Sequence, residues 1–367
     1  MAIENDVFQR ELPLETYGPL LKYVEDDNIT DINLNRNGSE LWVTDIKKGK
    51  YLVEDHECDE TFVKHFLHRV TNHENAHFNP MNPILESETS RLRISCIHDR
   101  VALSGTTICI RKSPPFIRMT KESAVEDGYI SEPVLNLLIN CVRAHMNFIF
   151  CGEPGVGKTE CAKFFSQFIP AKERVITIED NLELHYKEIN PGKDCVELKV
   201  ELNNDIFGYD KAIKACLRQN PQWIMLSEAR STEVKYLLEC WSTGVSGFTT
   251  LHTDDVRKIP DRIQNMMGSR TDAERLENDI FNFVDVGVLI RKKTDSDGQL
   301  YRYIDQVCFF VREGIKNRTV MIVEDGEMVQ KEIIDDHNQV KRIFQPLPAD
   351  IMKKFVFSNI QNPLGIV

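Results

Sequence analysis

Residues 152–159 read Gly152-Glu153-Pro154-Gly155-Val156-Gly157-Lys158-Thr159, which gathers three glycines, a lysine and a hydroxyl within eight positions. That combination suits a polyphosphate. Glycines let successive backbone N–H groups turn inward and converge on phosphate oxygens. Lys158 is the cation that reaches the β- and γ-phosphates, and the Thr159 hydroxyl holds Mg²⁺. The nucleotide-binding set is therefore Gly152, Gly155, Val156, Gly157, Lys158, Thr159 and Glu160. A helix expected from Thr159 to Ile169 directs its positive end at the bound phosphates.

Hydrolysis of such a ligand also needs a carboxylate near Mg²⁺ and one to orient or deprotonate the attacking water. Two apolar runs end in acids. Trp223-Ile224-Met225-Leu226 leads into Ser227-Glu228, and Arg174-Val175-Ile176-Thr177-Ile178 leads into Glu179-Asp180, with Glu183 four residues after Glu179. Acids at strand ends sit where open α/β sheets bind ligands.

These positions require strands and helices in alternation. The spacing predicts a helix over Val134–Ala144, a strand over Asn147–Cys151, and further strands over 174–178, 223–226 and Gly247–Leu251. Short apolar runs separated by helical segments indicate a largely parallel sheet covered on both faces. Later strands are expected over Val284–Ile290 and Tyr301–Val311, flanking a turn at Asp295–Gly298. Upstream, Asp31–Asn35 and Leu41–Val43 read as a hairpin around Asn37-Gly38. Thr61–His73 has helical spacing, and Leu92–Ile97 and Thr106–Arg111 are β-rich. Ser113-Pro114-Pro115 breaks regular structure. The expected organisation is an α+β N-terminal domain (1–115), a linker (116–132) ending where Ser131-Glu132-Pro133 caps a helix, and an α/β nucleotide-binding domain (133–367).

A chain of 367 residues is long enough for two cores. Its net charge of −12 argues against a surface built to wrap nucleic acid, and no strong nucleic-acid-binding signature interrupts that balance. No apolar stretch approaches the roughly 20 residues that span a bilayer, and the N-terminus is acidic and polar, so a cytoplasmic location is expected. The ten cysteines form no C-x-x-C pair, which suggests reduced, buried thiols rather than a zinc site.

Four blocks resemble the type II/IV secretion ATPases, including the traffic ATPases of conjugation and tight-adherence pili. They are the loop at 152–159, the "Asp box"-like Thr177–Leu184, the Walker B-like stretch from Leu217-Arg218-Gln219-Asn220-Pro221 to Leu226-Ser227-Glu228-Ala229-Arg230, and the "His box"-like Thr243–His252. The hairpin at 31–43 and the run from Arg93 to Lys112 resemble the family's N-terminal domain. The resemblance implies a RecA-like C-terminal domain, ATP and Mg²⁺ as ligands, and Thr159 and Glu228 at the metal, partly through water. It also implies Glu179 as general base, His252 as a γ-phosphate sensor, and Arg93 and Arg111 as phosphate ligands across a subunit boundary. The resemblance also implies a place for Arg230 in the same coupling network. Ser227 and Val245 depart from the family pattern, where Gly and His are usual.

The resemblance further implies a homohexamer that clamps ATP between domains and turns its hydrolysis into work. The motor would dock on inner-membrane secretion or pilus proteins, with membrane association through those partners. A nucleotide-gated scaffold with little hydrolysis and a RecA-like nucleic-acid motor stand as alternatives. The tail from Glu313 resembles the family only loosely; its apolar end around Ile351 to Phe357 either docks a partner or completes the core, and the latter is expected.

Overall fold

The computed structural model describes residues 11–201, 207–231, 233–267, 273–334 and 340–365. The chain divides into two compact units. The first comprises Met1–Pro115 with Asn181–Glu183 and Lys293–Tyr301; the second comprises Phe116–Asp180, Leu184–Lys292 and Arg302–Val367.

In the first unit, β1 (Ile29–Asn35), β2 (Glu40–Asp45), β3 (Gly49–Val53), β4 (Ile84–Glu88), β5 (Leu92–Ile97) and β6 (Thr107–Lys112) form one sheet in the order β3-β2-β1-β6-β5-β4. The β1–β2 hairpin turns through Arg36–Gly38, where Asn37 and Gly38 take φ of 56° and 98°. Alternation along β1, β2, β5 and β6 puts Ile32, Leu34, Val43, Ile94 and Ile110 in a core closed by the helix Glu60–Glu74. Asp59 caps that helix by accepting from the Phe62 N–H.

The second unit holds a nine-stranded sheet. Its strands are β7 (Phe148–Cys151), β8 (Val175–Glu179), β9 (Cys195–Lys199), β10 (Trp223–Leu226), β11 (Ser246–Leu251), β12 (Val286–Thr294), β13 (Leu300–Glu313), β14 (Lys316–Glu324) and β15 (Glu327–Met328). The order is β15-β14-β13-β12-β7-β11-β10-β8-β9. Neighbouring strands from β12 through β7, β11, β10 and β8 to β9 pair in parallel, whereas β13, β14 and β15 pair antiparallel.

Neighbouring residues of one strand enter different cores. Phe148, Phe150, Trp223 and Met225 join one cluster with the helices Glu132–Arg143 and Lys158–Ser166. Ile149, Cys151, Ile224 and Leu226 join the other, with the helices Tyr209–Cys216, Glu233–Ser242 and Ile259–Met267. With both faces covered, these strands need apolar residues at every position, which is why they read as unbroken apolar runs.

The segment 116–132 differs from the expected linker. It carries the helix Lys121–Glu126, closed by a Thr120–Ser123 capping box, and buries Ala124, Tyr129 and Ile130 in the second unit's core. Its polar residues are capping and surface positions of a packed element. Ser131 precedes the next helix, but its side chain makes no capping hydrogen bond; Pro133 in the first turn marks the start instead. The polar Gln330–Ile334 and Val340–Phe344 form a separate two-stranded ribbon. After it in sequence, Ile351 and Phe355 of the helix Ala349–Phe357 are buried in the core, as expected of the tail. Among the described residues no helix is long and apolar enough to cross a membrane.

Candidate functional site

Parallel strands place all their C-terminal ends at one edge, so the order β7-β11-β10-β8 decides which loops are neighbours. Lys158 follows β7, His252 follows β11, Glu228 and Arg230 follow β10, and Asp180 follows β8. The side-chain contacts run in that spatial order.

The loop after β7 is built on backbone that L side chains rarely adopt. Gly152, Gly155 and Gly157 have φ of 147°, 74° and 93°, and a Cβ on Gly152 would lie 2.5 Å from the Ile290 carbonyl oxygen. Lys158 opens the following helix and is largely buried. Its Nζ donates to the Gly152 and Glu153 carbonyls at 3.2 and 3.1 Å and stands 3.1 Å from His252 Nδ1. Val156 is buried beneath the loop, and Glu160, one turn along, accepts from the fully buried Lys163 at 3.2 Å.

His252 bridges the cluster. Its Nε2 lies 2.9 Å from Glu228 Oε1, and its Nδ1 is also 3.2 Å from the Gly152 carbonyl. With Nε2–H donated to the carboxylate, Nδ1 is the acceptor for Lys158; a doubly protonated ring turns Nδ1 into a donor to Gly152. The imidazole thus couples the glycine loop after β7 to the acid after β10. Glu228 Oε2 accepts from Arg230 Nε at 2.7 Å, and Arg230 Nη1 donates to Asp180 Oδ2 at 2.6 Å. Burial works against the Arg230 cation, but the hydrogen bonds and charges of Glu228 and Asp180 outweigh it and raise its pKa. Glu233 accepts from the backbone N–H groups of Arg230 and Ser231, fixing the turn.

Glu179 is buried at the end of β8, and its Oε2 accepts from the Leu184 N–H at 2.9 Å. Ser227 is buried where its N–H meets the Ile178 carbonyl at 3.2 Å, and Val245 packs against the core, so both departures from the family pattern sit within ordinary packing.

Arg93 and Arg111 stand in the first unit as cross-strand partners on β5 and β6, with Asp31 opposite Arg111 on β1. Arg111 Nε is 3.0 Å from Asp31 Oδ1. Burial opposes the Arg111 cation, but Asp31 and, more weakly, Glu183 raise its pKa. In the same unit the Leu182 N–H donates to Glu88 Oε1 at 2.8 Å.

Sequence reading missed Arg302. Its Nη2 is 3.5 Å from the Gly155 carbonyl, and burial followed by the like charge of Arg118 lowers its pKa. An arginine alternating with tyrosines early in β13 carries no local sign that it packs on a loop 147 residues away.

Among the described residues no group of three or more His, Cys, Asp or Glu side chains could cage a metal ion. Mg²⁺ needs no such cage, since it keeps waters and takes one or two protein oxygens beside substrate phosphates. The Thr159 hydroxyl and the Glu228 carboxylate fit that donor set.

Residues 80–325 match the family described as "Type II/IV secretion system protein". An uncharacterized protein of Bacillus anthracis is 28% identical over 299 residues, covering 78% of this chain and 66% of the relative. Protein VirB11 of Rhizobium radiobacter is 35% identical over 116 residues, 30% of this chain and 33% of the relative. The matches thus span less than two thirds of these relatives' own lengths. The pilus retraction motor PilT, solved with bound ADP, shares the fold with a TM-score of 0.60 at 19% identity, over 83% of this chain and 85% of that one.

Proposed function

The chain belongs to the type II/IV secretion system protein family, and we propose that it is an ATPase motor that powers a secretion, conjugation or pilus-assembly machine. The observation that carries this reading is the unbroken line of contacts from Lys158 through His252, Glu228 and Arg230 to Asp180. A loop that only bound phosphate would need no such connection to two strand-end acids.

In this reading the second unit, which begins at Phe116, forms a RecA-like ATPase domain and the first unit an N-terminal domain. The amides of Gly152, Gly155, Val156 and Gly157 cradle the phosphates, with Glu160 beside them. Lys158 leaves its loop carbonyls for the β- and γ-phosphates. Mg²⁺, held by Thr159 and through water by Glu228, would neutralise charge on the phosphate oxygens. A water oxygen attacks the γ-phosphorus, the bond to the ADP oxygen breaks, and Glu179 takes the proton of the attacking water. His252 senses the γ-phosphate because it already touches both Lys158 and Glu228. Arg230 holds Glu228 until the ligand competes for it. Arg93 and Arg111 act as phosphate ligands toward a neighbouring subunit of a homohexamer. The ring docks on inner-membrane partners from the cytoplasmic side. The fold shared with PilT, a pilus retraction motor, is in keeping with mechanical work as the output.

The deciding experiment measures steady-state ATP turnover in the unaltered chain, Lys158→Ala and Glu228→Gln. Turnover that both substitutions abolish supports the motor. Equal, negligible rates in all three would leave a nucleotide-binding scaffold instead.

A further inference from the structure

The segment after His252 is tied down by buried polar groups that the proposed chemistry does not use. In β13, Asp305 and Gln306 interrupt an otherwise apolar run from Ile304 to Val311, and they are only 3% and 5% exposed. Both ends of the Gln306 amide are engaged. Its Oε1 accepts from the Val256 N–H at 3.0 Å, and its Nε2 donates to Asp255 Oδ2 at 3.5 Å. Asp255 also accepts from Arg257 Nε at 2.9 Å and Nη2 at 2.6 Å, and Arg257 Nη1 continues to Glu324 at 3.0 Å. From β12, Arg291 donates to the Asp254 carbonyl at 2.9 Å and to Asp305 at 2.6 Å.

Closing a loop over a sheet does not require this. Desolvating an amide and a carboxylate is unfavourable unless each finds a partner, and apolar side chains would fill the same space without that cost. What directional bonds add is position. His252 precedes the anchored residues by two to four positions, and its two ring nitrogens must meet Lys158 and Glu228 at 3.1 and 2.9 Å. A loop displacement of about 1 Å would break both contacts.

We propose that Gln306 and Asp255 are positioning residues that hold His252 between Lys158 and Glu228, and so link the nucleotide site to the antiparallel strands β13 and β14. This rests on the ATPase reading above. The link runs through β13 itself, which carries Gln306 and pairs with the strand that bears Glu324.

The test replaces Gln306 by Met, which keeps the volume and removes both bonds, and replaces Asp255 by Asn as a second, isosteric variant. We expect kcat for ATP to fall about ten- to hundredfold with KM changed less than about twofold. In a His252→Ala background the same substitutions should change kcat less than about twofold, because groups acting through one residue are not additive. Equal losses with and without His252, or losses carried mainly by KM, would overturn the proposal.

¹⁵N-histidine spectra, with the His252 ring signals assigned by their disappearance in His252→Ala, separate this from the ATPase reading. Shifted or broadened His252 signals in Gln306→Met support positioning even if no ATP turnover is found. Unchanged signals in both variants would refute it.

Discussion

The two sheets of this protein carry their polar side chains in different places. In the first unit, β1, β2, β5 and β6 alternate between buried and accessible residues, so one face of the sheet is free for charge. Asp31, Arg111 and Arg93 use it, standing side by side across three strands. In the second unit, β7, β8, β10 and β11 are buried at every position. Charge is excluded from their faces and collects where the strands end. A half-covered sheet can present a functional row on its face; a sheet covered on both sides can do so only at its edge.

Substitutions in the two sheets should therefore separate stability from activity. The largest effect is expected within a doubly covered strand. Phe148 is fully buried among Phe150, Phe165 and Phe248, and Phe148→Ala should cost about 3–5 kcal/mol in urea unfolding. A loss under about 1 kcal/mol would mean that this face is not packed as described.

At the edge the balance reverses. Lys158→Ala should lower ATP turnover at least about a hundredfold, or about 2.7 kcal/mol in the barrier, while leaving the unfolding midpoint nearly unchanged. Turnover retained within about tenfold would detach the loop from the chemistry.

The network behind His252 should show as pH dependence. Hydrogen bonds from Arg257, working against partial burial, hold Asp255 down to about 2. A depressed carboxylate stabilises the fold above its unfolded pKa, and that stability is lost as pH falls through the folded value. Asp255→Asn should thus cost about 1–2 kcal/mol at neutral pH, a gap that narrows as pH drops from about 4 to 2. A gap constant across that window would show that Asp255 is not held as an anion.

The smallest stability effect is expected on the open face. Arg111→Ala removes a pair with a half-exposed guanidinium and should cost less than about 1 kcal/mol, yet lower ATP turnover at least about tenfold. Full turnover would remove Arg111 from the site. A large stability loss would make it a structural ion pair.

Much of this was legible in the sequence because it depends on local chemistry. The glycine spacing of 152–159 requires a backbone that only a narrow range of residues adopts, and the structure has those glycines at positive φ. Unbroken apolar runs read as strands covered on both faces, and the β-forming residues of 92–97 read as a strand, which the structure shows alternating between buried and accessible positions. Polarity misled at 116–132, where capping residues of a short packed helix looked like linker. Arg302 and Gln306 gave no local sign of their partners, since both stand in β13 and act on loops far along the chain.

From its residues alone, the chain determined which groups could bind phosphate and which acids would end strands, because backbone conformation and burial periodicity are properties of a few consecutive residues. Tertiary structure decided which of them meet. Lys158 and His252 are 94 residues apart, Arg230 and Asp180 are 50 apart, and Val256 and Gln306 are 50 apart. Each pair is brought together by the order of strands in the sheet, which depends on pairings between segments far apart in the chain and so on no few consecutive residues.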